Sequence, residues 1–342
     1  MKTSKEIREK FNALSGSDQE LLLSDLLSDY ELRSQVLENA RHELSVKKEK
    51  KPCPHCNSTK VYKRGKQNNV QMYQCRECNK WYSETTGTPL WDIKLKHKWQ
   101  GYLRLMQEGM SIKKIAKELE ISIQTSFDWR HKILSSLSKF TPETLTDVVE
   151  CDELELSLSK KGQRGLDRKP RKRGSDFKRN AGSEESTVVQ VVTAVDRKGQ
   201  KYLKAVESKR LTSEQIKEVF EGKLAENATL ITDKHPSYKK FTRGNKKLSH
   251  KTVLAKDHVD KQNKNIHLQH VNNTHSQLRG FLRPFNGVSS KYLQNYLNWF
   301  AYKEKMSGTT STLKQWFIAI LTSPLAYQLF LQFKLNAVNI RT

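Results

Sequence analysis

Two C-x-x-C pairs constrain the fold of this chain more than any other feature. They are Cys53 with Cys56 and Cys75 with Cys78, separated by eighteen residues. Two such pairs supply four thiolates, which close a tetrahedron around a zinc ion and leave no coordination position for water. The spacing therefore predicts a structural zinc site, and a redox-active dithiol pair or a site without metal is the alternative.

The residues between the pairs predict a small zinc ribbon within residues 47–92. Segments 60–63 and 70–74 have the composition of strands, and residues 65–69 suit the turn of a hairpin. The expected unit is small and depends on its metal, because so short a segment cannot bury a large apolar core.

The charge of the chain predicts its partner. The 342 residues carry a formal net charge of +25, with a calculated pI near 9.7. Such an excess does not help folding, because like charges repel one another in the compact state. It suits a polyanion, and double-stranded DNA is the expected partner.

No segment predicts export or a membrane span. The first residues, MKTSKEIREKF, lack the apolar core of a signal peptide. The apolar stretch 316–333 is interrupted by Pro324 and by polar residues, so a pair of buried helices is expected there. We therefore expect a cytoplasmic, nucleoid-associated protein.

A helix-turn-helix is predicted within residues 93–140. Apolar residues recur at helical spacing over 109–134, and Ser111 and Ser122 are suited to cap two successive helices. An ordinary helix pair in a bundle is the alternative. The second helix is expected to present DNA-contacting side chains outward, namely Gln124, Thr125, Arg130 and His131.

From residue 145 the pattern changes to that of an α/β domain. Segments 148–156, 187–196 and 228–233 read as strands, and 213–226 reads as a helix capped by Ser213. Helical periodicity then returns, with aromatic residues expected to pack in the core. The whole chain is thus predicted to comprise a helical N-terminal segment (1–46), the ribbon (47–92), the helix-turn-helix region (93–140), the α/β domain (145–305) and a helical C-terminal segment (306–342).

Two aspartates stand at the ends of apolar runs. Asp152 follows the hydrophobic start of 148–156, and Asp233 ends 228–233. Carboxylates at the ends of buried strands are costly unless they hold a cation or find donors. Magnesium prefers such oxygen ligands, and a pair of ions bound by them catalyses phosphoryl transfer. A capping or surface role is the alternative, and neighbouring Glu150 is expected to be solvated or salt-bridged.

The basic segment 160–180 is predicted to grip phosphates, with a solvated flexible loop as the alternative. Its cations greatly outnumber its acids, and each phosphate neutralised steepens the salt dependence of DNA binding. The DNA-binding residues expected in this arm are Lys169, Arg171, Lys172 and Arg173.

Over residues 15–305 the chain resembles a DDE-type insertion-sequence transposase of the IS1595 (ISXO2-like) group. The resemblance rests on CPHC…CREC, TTGTPLWDIKLKHKW, VVECDE, ITDKHPSY and HVNNTHSQLRGFLRPFNGVSSKYLQNYLNWF. It implies an RNase H-like catalytic domain, preceded by the ribbon and the helix-turn-helix. It also implies cleavage of insertion-sequence ends and strand transfer, dependent on Mg²⁺ or Mn²⁺.

The resemblance assigns the site residues. Asp152 and Asp233 match the first two catalytic positions and would bind the catalytic metal. Asn272 matches the third position, with Asn273 and His275 as alternatives. A homodimer or higher oligomer is expected when two transposon ends are synapsed. A non-enzymatic, sequence-specific DNA-binding regulator and an inactive, domesticated transposase are the competing interpretations.

Overall fold

The chain divides into two compact units. One comprises residues 1–104 and 311–342, and the other comprises residues 105–310. The computed structural model describes residues 4–23, 52–67, 70–83, 86–89, 93, 95, 98–163, 165–166, 188–245, 247–254, 259–260 and 262–307.

Several predicted features lie outside the described residues. The predicted C-terminal helical segment lies outside them from residue 308 onward, and so does the second half of the N-terminal segment. Residues 164 and 167–180 of the basic arm lie outside them as well, including Lys169, Arg171, Lys172 and Arg173.

The N-terminal residues are helical where they are described. Helix α1 spans Ser4–Asn12, and residues 16–23 are also helical. The Ser15 hydroxyl accepts a hydrogen bond from the Asp18 amide at 3.2 Å, as expected for a residue that caps a helix. The prediction of helix is confirmed for these residues.

The cysteine-containing segment forms a three-stranded antiparallel sheet in the order β1-β2-β3. Its strands are β1 (Val61–Gln67), β2 (Val70–Cys75) and β3 (Trp81–Ser83). The predicted hairpin is confirmed, but the turn predicted at 65–69 is wrong because β1 continues to Gln67. Gly65, at φ +76°, accommodates the register shift between Lys63 and Lys66.

Four helical segments follow the ribbon. Helix α2 spans Trp99–Gln107, α3 spans Ile112–Glu118, α4 spans Ile123–Ser136, and a 3₁₀ turn covers Leu137–Phe140. The two predicted caps are confirmed. Ser111 accepts from the Lys114 amide, and Ser122 accepts from the Thr125 amide.

The α/β domain is built on one five-stranded sheet in the order β6-β5-β4-β7-β8. Strands β4, β5 and β6 are antiparallel neighbours, whereas β7 and β8 run parallel to β4. The strands are β4 (Val148–Ser157), β5 (Val188–Asp196), β6 (Lys201–Val206), β7 (Thr229–Thr232) and β8 (Ser249–Thr252).

Helices cover both faces of this sheet. Helices α5 (Ser213–Phe220) and α6 (Pro236–Arg243) pack on one face, which includes Val149 and Cys151. Helix α7 (Gln269–Leu282), the 3₁₀ turn Arg283–Phe285 and α8 (Ser290–Ser307) lie on the other side. That second core contains Leu154, Val191, Leu278, Leu297 and Phe300.

The helix predicted at 213–226 begins at Ser213 as expected, but its predicted cap and its predicted end are wrong. Thr212, not Ser213, is the N-cap, because its hydroxyl accepts from the Gln215 amide while the Gln215 side chain bonds back to the Thr212 amide. The helix ends at Phe220, two residues before Gly222 adopts φ +64°. Among the described residues, no helix is long and apolar enough to cross a membrane.

Candidate active site and metal centre

The strand register brings the two predicted aspartates together. Glu150 pairs with Ile231 across the parallel strands β4 and β7, so the positions two residues later in each strand direction are Asp152 and Asp233. Neighbouring strands lie about 4.8 Å apart, which leaves two carboxylates side by side at the end of β7. Both residues are partly buried. The fold thus creates an acidic pair from residues far apart in the chain.

Glu153 belongs to the same acidic cluster. Its carboxyl is hydrogen-bonded to Tyr238 and to Asp152, and the charges of Asp152 and Asp233 both act on it. Burial first, and then these two charges, raise the pKa of Glu153 to about 8. The site therefore concentrates negative charge, which a divalent cation would offset.

Sequence reasoning did not single out Glu153, because neighbouring strand residues normally point to opposite faces of a sheet. The charges of Asp152 and Asp233 nevertheless both act on the Glu153 carboxyl, so the three acids are close neighbours. The sequence signal that could have identified Glu153 is its position directly after Asp152. Cys151 is also buried beside Tyr238, with Sγ 3.3 Å from the hydroxyl, and burial raises the pKa of its thiol.

The candidates for a third ligand lie on helix α7, which packs against β4 and β5. Asn272 is partly buried, Asn273 is exposed and His275 is 5% exposed. Burial, and secondarily Arg279, lower the pKa of His275 to about 4, so its imidazole is neutral at pH 7. No hydrogen-bond partner of His275 Nε2 occurs among the described residues. Asn272, Asn273 and His275 therefore all stay candidates for the third ligand.

Glu150 anchors the start of α7. Its buried carboxylate accepts the backbone amides of His270 at 2.8 Å and Val271 at 3.2 Å. His270 Nδ1 and His267 Nδ1 lie 2.6 and 3.1 Å from Oε1, and Arg197 Nη1 donates to the same oxygen at 2.8 Å. The expected salt bridge of Glu150 is confirmed. Because Glu150 precedes Asp152 by two residues in β4, its contacts hold the start of α7 close to Asp152.

This carboxylate–histidine group also has the geometry of a metal site, because one ligand atom each of Glu150, His267 and His270 lie within 4.8 Å of one another. Arg197 Nη1, however, lies 2.8 Å from Glu150, 3.0 Å from His267 Nε2 and 2.9 Å from His270 Nδ1. The Arg197 guanidinium therefore occupies the position that a metal ion would take in this group. We interpret the group as a structural contact between β4, Arg197 and the start of α7.

Substitution of Glu150 by glutamine should lower the free energy of unfolding by about 3 kcal/mol, because Arg197 and the start of α7 would lose a buried anionic partner. Glu304→Gln is the matched control, since it breaks the Lys201–Glu304 ion pair (2.7 Å), in which both side chains are more exposed than Glu150. Denaturant titration should show the smaller loss for Glu304→Gln. Equal losses would contradict the assigned role of Glu150.

The four predicted zinc ligands come together in the ribbon. Their Sγ atoms all lie within 4.8 Å of one another, with Cys53–Cys78 at 3.6 Å and Cys56–Cys75 at 3.5 Å. Zinc–sulfur bonds of about 2.3 Å in a tetrahedron require sulfurs about 3.8 Å apart. The amides of His55 and Glu77 also donate to Cys53 and Cys75 at 3.4 Å. The donor set fits zinc and, at these separations, excludes disulfides.

The predicted DNA-contacting side chains of α4 divide into two groups. Gln124 is exposed and Thr125 is partly exposed at the start of the helix. Arg130 and His131 are 0% and 1% exposed, so the prediction that they face outward is wrong.

The physical reason is that the second half of α4 packs on α8. The Arg130 guanidinium lies 4.9 Å from the Trp299 ring centroid, and its Nη2 donates to the carbonyl of Met110 at 2.7 Å. The His131 ring centroid lies 4.7 Å from that of Tyr292. Burial lowers the pKa of His131 to about 3, which leaves its ring neutral.

Comparison with known proteins agrees with the family resemblance. Residues 144–305 match the model of the ISXO2-like transposase domain. The chain is 26% identical over 265 residues to an uncharacterized protein in the transposable element ISH50 of Halobacterium salinarum, covering 74% of this chain and 85% of that protein.

Solved structures show only distant likeness. A simian T-cell lymphotropic virus intasome in complex with PP2A regulatory subunit B56 gamma gives a TM-score of 0.31 at 9% identity, covering 67% of this chain and 73% of that one. A pre-cleavage Mos1 transpososome gives 0.29 at 11% identity, covering 68% and 78%. TM-scores this low carry no argument about function.

The domain match and the relative from a transposable element support a DNA transposase as the class of this protein. Residues 144–305 are similar to the ISXO2-like transposase domain of the IS1595 group. The resemblance predicted from the sequence motifs is thereby confirmed.

Proposed function

We propose that this transposase cleaves the ends of its insertion sequence and transfers the cleaved strand to target DNA by metal-dependent phosphoryl transfer. The observation that carries the proposal is the register of β4 and β7, which puts Asp152 beside Asp233. The raised pKa of Glu153, caused by burial and by both aspartates, supports a site with clustered negative charge.

The carboxylates of Asp152 and Asp233 are hard oxygen donors, which suit Mg²⁺ or Mn²⁺. Asn272 is the third proposed ligand, because an amide oxygen suits these ions better than the neutral nitrogen of His275. A bound pair of such ions would activate the attacking oxygen and stabilise the leaving oxygen. Asp152, Asp233 and Asn272 would together hold these ions.

His275 has a different proposed role. Its ring is buried and neutral, and Nε2 has no hydrogen-bond partner among the described residues. It could therefore donate one hydrogen bond to an oxygen of the scissile phosphate without changing the charge of the site. In the proposed reaction, water and then the freed 3′ hydroxyl attack phosphorus in line, without a covalent protein–DNA intermediate.

We further propose that the catalytic domain has an RNase H-like fold. Support comes from the sheet order β6-β5-β4-β7-β8, from the change from antiparallel to parallel pairing at β4, and from helices on both faces. The central strand of this arrangement carries Asp152, and its parallel neighbour delivers Asp233.

DNA binding is proposed for two regions, the α3–α4 pair and the basic arm within the catalytic domain. The capped pair α3–α4 is proposed as a helix-turn-helix that presents Gln124 and Thr125 to base edges. The basic arm with Lys169, Arg171, Lys172 and Arg173 is proposed to contact phosphates.

The start of that arm is hydrogen-bonded to the catalytic domain through Lys161. Lys161 Nζ donates to the carbonyls of Phe285 at 2.9 Å and Gly287 at 2.8 Å. Synapsis of two transposon ends would require at least a homodimer. We also propose that the protein works in association with the nucleoid.

The proposal is tested with the element's own ends in a strand-cleavage assay. Asp233→Ala should lower the cleavage rate in Mg²⁺ by about a thousandfold, because several kcal/mol of metal-dependent stabilisation are lost at about 1.4 kcal/mol per tenfold. Glu218→Ala is the control, since Glu218 is an exposed acid of the same domain. Cleavage by Asp233→Ala at the wild-type rate would refute the assignment.

A further inference from the structure

One face of the ribbon carries a row of exposed aromatic side chains. In the strand register, Tyr62 of β1 pairs with Gln74 of β2, and Gln74 pairs with Trp81 of β3. The three side chains therefore stand on the same face of the sheet. The opposite face is internal, because Tyr73 and Tyr82 stack there at 5.3 Å and pack with the cysteines.

The outer face of the ribbon leaves its aromatic side chains largely exposed to solvent. Trp81 is 54% exposed and Tyr62 is 42% exposed. A sheet of three short strands gains stability by burying its aromatic residues, and this ribbon buries Tyr82 on the inner face. Leaving the two largest rings of the outer face in water gives up that stabilisation, which is expected of a surface that contacts a partner.

Two arginine side chains contact the Tyr62 ring on this aromatic face. The Arg76 guanidinium carbon lies 4.0 Å from the Tyr62 ring centroid, and that of Arg64 lies 5.2 Å from it. Arg64 Nε also donates to Gln74 Oε1 at 2.9 Å. Stacked guanidinium groups keep their charge and expose planar surfaces beside the rings.

The charge of the ribbon indicates an anionic partner. Residues 52–83 contain six lysines and arginines and one acid, Glu77. That acid pairs with Lys60 at 3.2 Å. A partner that offers flat aromatic groups together with negative charges fits this face, and DNA with unpaired bases has both properties.

We propose that the ribbon face formed by Tyr62, Arg64, Gln74, Arg76 and Trp81 binds unpaired bases of DNA, with Trp81 as the main stacking residue. Intact duplex DNA hides its base faces, so the exposed ring of Trp81 gains little from it. The partner follows from the DNA role proposed above, but the single-strand preference rests on this face alone.

The test measures the affinity of the full-length, zinc-loaded protein for three fluorescent DNAs by anisotropy. These are a single-stranded oligonucleotide, a duplex with a single-stranded extension and a blunt duplex. Trp81→Ala should weaken binding to the first two by about tenfold and to the blunt duplex by less than about twofold. Trp81→Phe should retain most of the affinity, because phenylalanine still stacks.

Leu254→Ala is the matched control, since Leu254 is a 42% exposed apolar residue of the other unit. Zinc content and thermal melting establish that each variant is folded. Unchanged single-strand affinity in both Trp81→Ala and Tyr62→Ala would overturn the proposal, and so would equal losses for all three DNAs. Magnesium-dependent cleavage in the variants separates this result from a failure of the catalytic proposal, because Asp152 and Asp233 are untouched.

Discussion

Asp152→Ala is expected to lower transposon-end cleavage by about a thousandfold or more, the largest effect of any single substitution in the catalytic domain. Asp152 is a proposed metal ligand and lies in the acidic cluster with Glu153 and Asp233. Its removal would take away one of the two carboxylates that would hold the catalytic metal. Single-turnover cleavage of a labelled transposon end in Mg²⁺ measures the effect.

DNA binding separates a catalytic role of Asp152 from general damage. The affinity of Asp152→Ala for transposon ends should stay within about twofold of wild type, because the proposed DNA contacts lie elsewhere. Glu155→Ala is the control, since Glu155 is exposed on the same strand. If Asp152→Ala still cleaved DNA normally, the site would lie elsewhere or the protein would be a non-catalytic DNA-binding regulator.

Loss of zinc is expected to unfold the ribbon, which is the largest predicted effect on stability. Among the described residues, the buried cluster around the cysteines of the ribbon comprises Cys53, Cys75 and Tyr82. Structural zinc contributes about 10–16 kcal/mol of binding free energy at pH 7, far more than so small a core. Cys75→Ser, or chelation of the wild type, should therefore expose residues 52–83 to protease.

Zinc stoichiometry and limited proteolysis measure this effect together. The wild type should hold one zinc ion per chain, and Cys75→Ser should hold much less. Cys151→Ala is the matched control, because Cys151 is buried beside Tyr238 in the other unit and should not change the zinc content. A ribbon that resists protease without zinc would contradict the structural role.

The features that sequence patterns predicted well are those with local signals. Cysteine spacing predicted the ribbon ligands, and apolar runs predicted β4, β5 and β7 together with the aspartates they carry. Serines before apolar periodicity predicted the caps of α3 and α4. Each of these depends on residues only a few positions apart, or on a ligand spacing that the metal itself imposes.

The errors and omissions depend on tertiary contacts. Arg130 and His131 are polar in sequence but buried, because aromatic residues of α8 about 160 residues later cover them. The partners of Glu150 lie up to 121 residues away. Strand β3 spans three residues, which is too short to show a period. No local pattern carries this information.

The most direct test of the central claim is a strand-transfer assay with wild-type protein, transposon ends bearing a 3′ hydroxyl and a plasmid target. Our account predicts joined DNA in Mg²⁺ or Mn²⁺, none in EDTA, and no DNA linked covalently to protein at any time. Joining in EDTA, or a protein–DNA adduct that survives denaturation, would contradict it.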